Sequence, residues 1–192
     1  YMLLALVVFR LKPYRPAQRA LGESIHEIAK YIRIKAAMYD VKSDIDEAYR
    51  KLLNQQVTIN EKQDALRELL FKDKELMKDP SKTGRLLVLT FADTVDLYEQ
   101  VMATWYDYRS LRNQFGDTGL LNDVSEILEQ IAAETDRIGL AIQSNSSYNT
   151  QFQLIPALDK LKIKVDASGD NNQSNLVLKK ILVNLRNLGI GN

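Results

Sequence analysis

The sequence predicts an all-α protein: an elongated antiparallel bundle of four long helices followed by a C-terminal helical hairpin. Three observations lead there. Only 8 Gly and 4 Pro punctuate 192 residues, too few for the many turns of an all-β chain. Strong helix formers (Leu, Ala, Lys, Glu and Gln) dominate the composition. Apolar residues recur every three or four positions over most of the length. Long periodic segments joined mainly by short turns must lie side by side, because short loops force antiparallel neighbours.

Taken in order, the chain opens on an uninterrupted apolar run, Met2 to Phe9, followed at once by Arg10, Lys12, Arg15 and Arg19. Eight residues rise only about 12 Å as a helix, whereas a bilayer needs roughly 20 residues. Residues 1–12 therefore read as the C-terminal end of a truncated transmembrane helix, with a membrane-proximal basic cluster on its cytoplasmic side. A short buried helix is the alternative; a signal peptide is disfavoured because its charges precede the apolar run. Residues 13–192 form the remaining domain, divided into a main bundle (13–143) and a hairpin (150–192).

Pro13 and Pro16 start the first helix, whose stripe Leu21, Ile25, Ile28, Ile32, Ala36 and Tyr39 runs to Tyr39. Ser43 or Asp44 can cap the second, expected from Ile45 to Met77, with Gln56 and Gln63 interrupting a nearly heptad seam. Pro80 then breaks the chain, and Ser81 or Thr83 can cap the third helix. That helix, Gly84 to Gln114, carries Leu86, Leu87, Leu89, Phe91, Val95, Tyr98, Val101, Trp105 and Tyr108 over more than one face. A helix so apolar is normally central, so the others are expected to wrap it. Gly116 is the expected left-handed terminator. A fourth helix to Gln143 and two shorter ones, around Leu154–Val165 and Ser174–Leu188, complete the chain.

Little in this sequence points to chemistry. With no Cys, disulfides, thiolate metal sites and cysteine nucleophiles are excluded. A net charge of +1 argues against nucleic acid as a partner. The charge is unevenly spread: residues 1–20 hold four cations and no acid, while residues 117–143 hold six acids against Arg137 alone. His26, the single histidine, reads as structural, with no metal-ligand spacing around it. Pro80-Ser81-Lys82-Thr83-Gly84 lacks the leading glycine of a phosphate loop and reads as a corner. Asp44 with Asp46 and Glu47, and Glu126 with Glu129, read as solvated helix surface. Tyr98, Trp105 and Tyr108, with Arg109 or Arg112 for a carboxylate, could line a pocket for an aromatic ligand; a packed core is the stronger reading. No nucleophile–base pair emerges, so no catalytic residue, cofactor or metal is assigned and an enzyme is not expected.

The stretches FRLKPYRPAQRALGESIHEIAKYIRIKAAMYD and LFKDKELMKDPSKTGRLLVLTFADTVDLYEQVM resemble the YccS/YhfK branch of the FUSC (fusaric acid resistance-like) bacterial inner-membrane proteins, most firmly over residues 8–110. Those proteins resemble exporters of aromatic acids and drugs, with a helical cytoplasmic region between two transmembrane blocks. The resemblance implies a cytoplasmic domain at the bacterial inner membrane with an assembly or regulatory role. Its implied partners are the bilayer, the parent's other domains and a second copy. A soluble helical dimerisation module with no transport role stays open beside it.

Overall fold

The structure, a computed structural model, describes residues 14–72, 82–150, 153–168 and 173–189. Among them are seven α-helices: α1 (Arg15–Tyr39), α2 (Ile45–Lys72), α3 (Lys82–Ala103), α4 (Tyr108–Phe115), α5 (Leu120–Ser144), α6 (Leu154–Ala167) and α7 (Gln173–Gly189). A 3-10 turn, Gly116–Thr118, joins α4 to α5, and no strand occurs among the described residues. The chain is all-α, as its composition and periodicity predict. No helix of the described residues is long and apolar enough to cross a membrane. The apolar run Met2–Phe9, the cations Arg10 and Lys12, and the corner at Pro80 with Ser81 lie outside the described residues.

The hub of the fold is α1, not the third helix that its apolar content favoured. α5 and α2 pack along α1 far more extensively than on each other, and α3 lies on it more lightly. α3 presents Leu87, Phe91, Tyr98 and Val101 inward but leaves Leu86 (63% exposed) and Leu89 (52%) on the surface. Overall apolar content did not identify the centre, because α1 is buried partly through small residues. Besides the expected stripe it buries Ala17, Gly22, Ser24 and Ala29, which carry little hydrophobic weight but let neighbours approach closely.

Contacts fix the directions. Gln18 with Asn145, His26 with Asp136, and Ser125 with the Ala36 carbonyl step oppositely along α1 and α5, so these helices are antiparallel. Gln55 with Glu27 and Lys62 with Glu23 set α2 antiparallel to α1 in the same way. Tyr31 with Tyr98 and Lys35 with Val101 step together, so α3 runs parallel to α1. Asp44 caps α2 as expected, its carboxylate accepting from the N–H groups of Asp46 (2.9 Å) and Glu47 (3.1 Å). Gln56 faces a polar partner, donating to the Tyr31 hydroxyl at 3.2 Å, while Gln63 is buried.

Two expectations fail locally. The helix foreseen from Gly84 to Gln114 is broken after Ala103 and restarts at Tyr108. The left-handed glycine is Gly119 (φ 76°), not Gly116, which stays right-handed at φ −56°. The 3-10 turn carries the chain three residues further before the reversal that glycine permits.

The core has two parts. A smaller one gathers Ala17, Leu21, Ile25, Leu66, Leu70, Leu87 and Phe91, bringing the start of α1, the end of α2 and the start of α3 to one end of the molecule. The larger one holds the rest of α1 with α4 and α5, and it includes Leu158, Leu161, Leu178, Ile181 and Leu185 of the hairpin. The hairpin thus shares the main core.

Close approach of α1 to α5 rests on Gly22 and Gly139. A Cβ on Gly22 would lie 2.6 Å from the Gly139 carbonyl oxygen, a backbone atom with no free rotamer to yield. Gly22→Ala should lower the midpoint of urea unfolding with the slope unchanged, a loss of about 1–3 kcal/mol as the helices are forced apart.

Candidate functional site at the α3–α4 corner

Local hydrogen bonds alone do not account for the end of α3, although Thr104 Oγ1 donates back to the Val101 carbonyl at 2.8 Å. Thr104, Trp105, Tyr106 and Asp107 separate α3 from α4 and include neither Gly nor Pro. Sharp breaks without those residues trace to a π-bulge or to a side chain or water inserted into the backbone ladder, and here a side chain is inserted. That side chain is Lys35 of α1, whose exposure is 2%. Its ammonium donates to the carbonyl oxygens of Val101 and Thr104, and to Thr104 Oγ1 at 3.0 Å. It also lies 5.9 Å from the centre of the Tyr31 ring. These oxygens are the electronegative end of α3, the favourable place for a cation. Burial pulls the Lys35 pKa down to about 8. On the far side of the break, Asp107 restarts the helix by accepting from the Ser110 N–H at 3.0 Å. Tyr106 is buried, and its hydroxyl accepts from Asn184 of α7.

The same corner ends α1. Arg112 of α4 donates to the Met38 carbonyl (2.9 Å), the Ala37 carbonyl (3.0 Å), the Ser43 carbonyl (2.8 Å) and Ser43 Oγ (2.8 Å). The guanidinium fork therefore caps α1, just as Lys35 caps α3.

Of the pocket candidates, Trp105 and Tyr108 meet here, their rings 6.2 Å apart and nearly perpendicular. Tyr49 lies 5.4 Å from Trp105, and Tyr39 lies 5.2 Å from Tyr108. Tyr108 is buried at 1% exposure while Trp105 is 59% exposed, so the two face different surroundings. Tyr98 sits further back on α3 against Tyr31, at 5.4 Å, and burial pushes its pKa up to about 12. Arg109 pairs with Asp46 on the surface. Arg112 is turned into α1, and the described geometry gives both arginines protein partners.

Arg15 and Arg19 lie exposed at the other end of α1, about 37 Å away along a helix of 25 residues. Arg19 pairs with Glu23 at 3.1 Å. His26 faces Asp136 on the α1–α5 seam, where Arg33 also bonds Asp136 at 3.1 Å. Burial alone would raise the Asp136 pKa, but these two hydrogen bonds outweigh it and hold the carboxyl below its usual range.

Sequence reasoning missed Lys35. Its signal was present: Leu21, Ile28 and Lys35 are seven residues apart, so a cation occupies a position where the stripe calls for an apolar side chain. The role of Arg112 depended on a partner 74 positions away and had no local signature.

The family described as FUSC-like inner membrane protein yccS matches residues 1–190. The chain belongs to the FUSC-like family. This FUSC-like chain is also 23% identical over 161 residues to an uncharacterized protein of Haemophilus influenzae (strain ATCC 51907 / DSM 11121 / KW20 / Rd), covering 82% of the chain and 22% of that protein. It thus spans about a fifth of that relative's length. No solved structure matches it.

Two outcomes separate the buried from the exposed cations of this corner. Arg112→Ala leaves the α1 carbonyls without their charged donor and should cost about 2 kcal/mol in urea unfolding, whereas Arg109→Ala, at a solvated pair, should leave stability unchanged. Lys35 has its own pH signature. Its pKa is near 8 in the fold against 10.5 ordinarily, so between these values the unfolded chain binds more protons. Stability should therefore gain from Lys35 as pH rises above about 8. Buried tyrosines with raised pKa values act oppositely above pH 10 or so. Urea midpoints followed from pH 8 to 10, below the range of those tyrosines, should rise in the wild type by an increment that Lys35→Met lacks.

Proposed function

We propose that this chain is the cytoplasmic helical domain of a FUSC-type inner-membrane transporter that exports small compounds of the aromatic-acid kind. Its part is assembly or gating rather than chemistry. The observation that carries this reading is the family match over residues 1–190, to a family of inner-membrane proteins.

The arrangement of the helices supports it. The start of α1 with Arg15 and Arg19, the end of α2 and the start of α3 share one end of the molecule, packed through Leu21, Leu70 and Leu87. In sequence, the apolar run Met2–Phe9 and the cations Arg10 and Lys12 lead directly into that end. A cationic end placed there suits anionic headgroups at the cytoplasmic face. The α3–α4 corner and the hairpin then project away from the bilayer, toward the parent's other domains or a second subunit. On this reading the partners are lipid, neighbouring domains and a second copy, and no nucleic acid.

A second reading, a helical dimerisation module without a transport role, draws on Leu53 (63% exposed) and Val57 (58%), one turn apart on the outer side of α2.

The test is topological. In the full-length parent, alkaline phosphatase fused after residue 20 should be inactive and a green fluorescent reporter at the same position bright. Active phosphatase would place α1 in the periplasm and overturn the proposal.

A further inference from the structure

We infer that the α3–α4 corner is a two-state hinge, with Lys35 as the latch that holds it in the broken form. Three independent features meet there. The first is the residue pattern. Tyr98, Val101, Trp105, Tyr108, Leu111 and Phe115 are spaced 3, 4, 3, 3 and 4, so a single helical stripe runs straight through the break. Neither Gly nor Pro interrupts it, so the stripe can be continued as one helix even through the modest helix formers Thr104, Trp105, Tyr106 and Asp107.

The second is what maintains the break. Lys35 occupies the carbonyls of Val101 and Thr104, which a continuous helix would return to the N–H groups four residues on, those of Trp105 and Tyr108. Asp107 caps α4 by taking the Ser110 N–H, a donor that the continuous helix would direct to the Tyr106 carbonyl. Both devices stabilise the broken form and neither serves the continuous one. A small cavity of about 20 Å³ adjoins Lys35, Thr104, Tyr106 and Asn184, so the latch is not closed in by solid packing.

The third is mechanical freedom. α3 touches its neighbours sparsely and leaves Leu86 and Leu89 exposed, so little holds its outer side. In the broken form Trp105 stands 59% exposed, off the stripe to which its sequence position assigns it. Rejoining α3 to α4 turns Trp105 back onto that stripe and withdraws the Tyr106 hydroxyl from Asn184 of α7. The latch thus couples α3, through one lysine and one tyrosine, to α1 and to the hairpin.

The hinge itself is a property of these residues. Its use in gating rests on the function proposed above, since only a membrane at the start of α3 makes the helix a lever between the bilayer and the corner. The two ideas fail separately: the reporter fusion addresses the proposed function, and the following measurement the hinge.

Carbon chemical shifts of Thr104 to Asp107 report the break directly by NMR. In the wild type they should be non-helical, with the continuous form under about a tenth of the population. In Lys35→Met they should move to helical values as the continuous form becomes the majority. Shifts that stay where they are in a folded Lys35→Met chain, or that collapse to random-coil values, overturn the hinge. If Lys35→Met does not fold, Asp107→Ala decides, because it removes only a surface cap of α4. It should displace Thr104, Trp105 and Tyr106 toward helical shifts, and no displacement overturns the hinge.

Discussion

The structure depends on an exchange of cations between helix ends. α1 gives Lys35 to the end of α3, and α4 gives Arg112 to the end of α1. Each helix end carries carbonyl oxygens that no further turn can satisfy, and burying them unpaired would oppose folding. Local donors share the task, Ser43 Oγ at the Ala37 carbonyl and Thr104 Oγ1 at the Val101 carbonyl, and the neighbouring helices complete both ends with a charged donor. The tertiary donors join the two ends into one corner, and the rings of Tyr39, Tyr49, Trp105 and Tyr108 close around it, edge to face at Tyr39–Tyr108 and Trp105–Tyr108 and tilted at Tyr49–Trp105.

Around that corner, packing follows size more than hydrophobicity. α1 became the hub because Gly22, Ser24 and Ala29 admit neighbouring backbones that a row of leucines would hold away. α3, richer in large apolar residues, could not be surrounded in the same way, and it shows its surplus at Leu86 and Leu89. At the Gly22–Gly139 contact a helix backbone meets a helix backbone, so the α1–α5 spacing is set by main-chain atoms.

Much of this was legible in the sequence, for identifiable reasons. Helix type follows from a repeat of three and four, which survives whatever the helices pack against, while the number does not, since one expected helix is divided into α3 and α4. The Asp44 cap could be foreseen because its donors are two and three residues away. The break after Ala103 was not foreseen: Thr104 and the Asp107 cap contribute to it locally, but the lysine that completes it is 66 positions earlier. The displaced left-handed glycine is a second miss, since a 3-10 turn follows α4 before the chain reverses at Gly119. As for the site, Trp105, Tyr108 and Arg112 were singled out by composition and do lie at one corner. The sequence suggested that an arginine there meets a carboxylate; the fold supplies the carbonyls of Ala37, Met38 and Ser43 to Arg112. Residue type located the chemistry, while its partner depended on tertiary distance.

Lys35 raises the question of why a buried ammonium with carbonyl acceptors in place of a carboxylate is tolerated. Removing such an ion from water costs on the order of several kcal/mol after relaxation. Hydrogen bonds to a charged donor return about 1.5–3 kcal/mol each, and the helix terminus adds up to ~2 kcal/mol in a partly buried site. With three oxygen acceptors the opposing terms are of similar size, so the closed corner is held by a small difference between large quantities. A leucine at that position would remove the desolvation cost but leave the Thr104 carbonyl without this donor and the Val101 carbonyl with the Thr104 hydroxyl alone, which weakens the broken arrangement. The lysine is therefore better explained as setting a near balance between two backbone arrangements than as strengthening the core. A near balance is the condition under which a weak bias at one end of α3 can change the arrangement at the other.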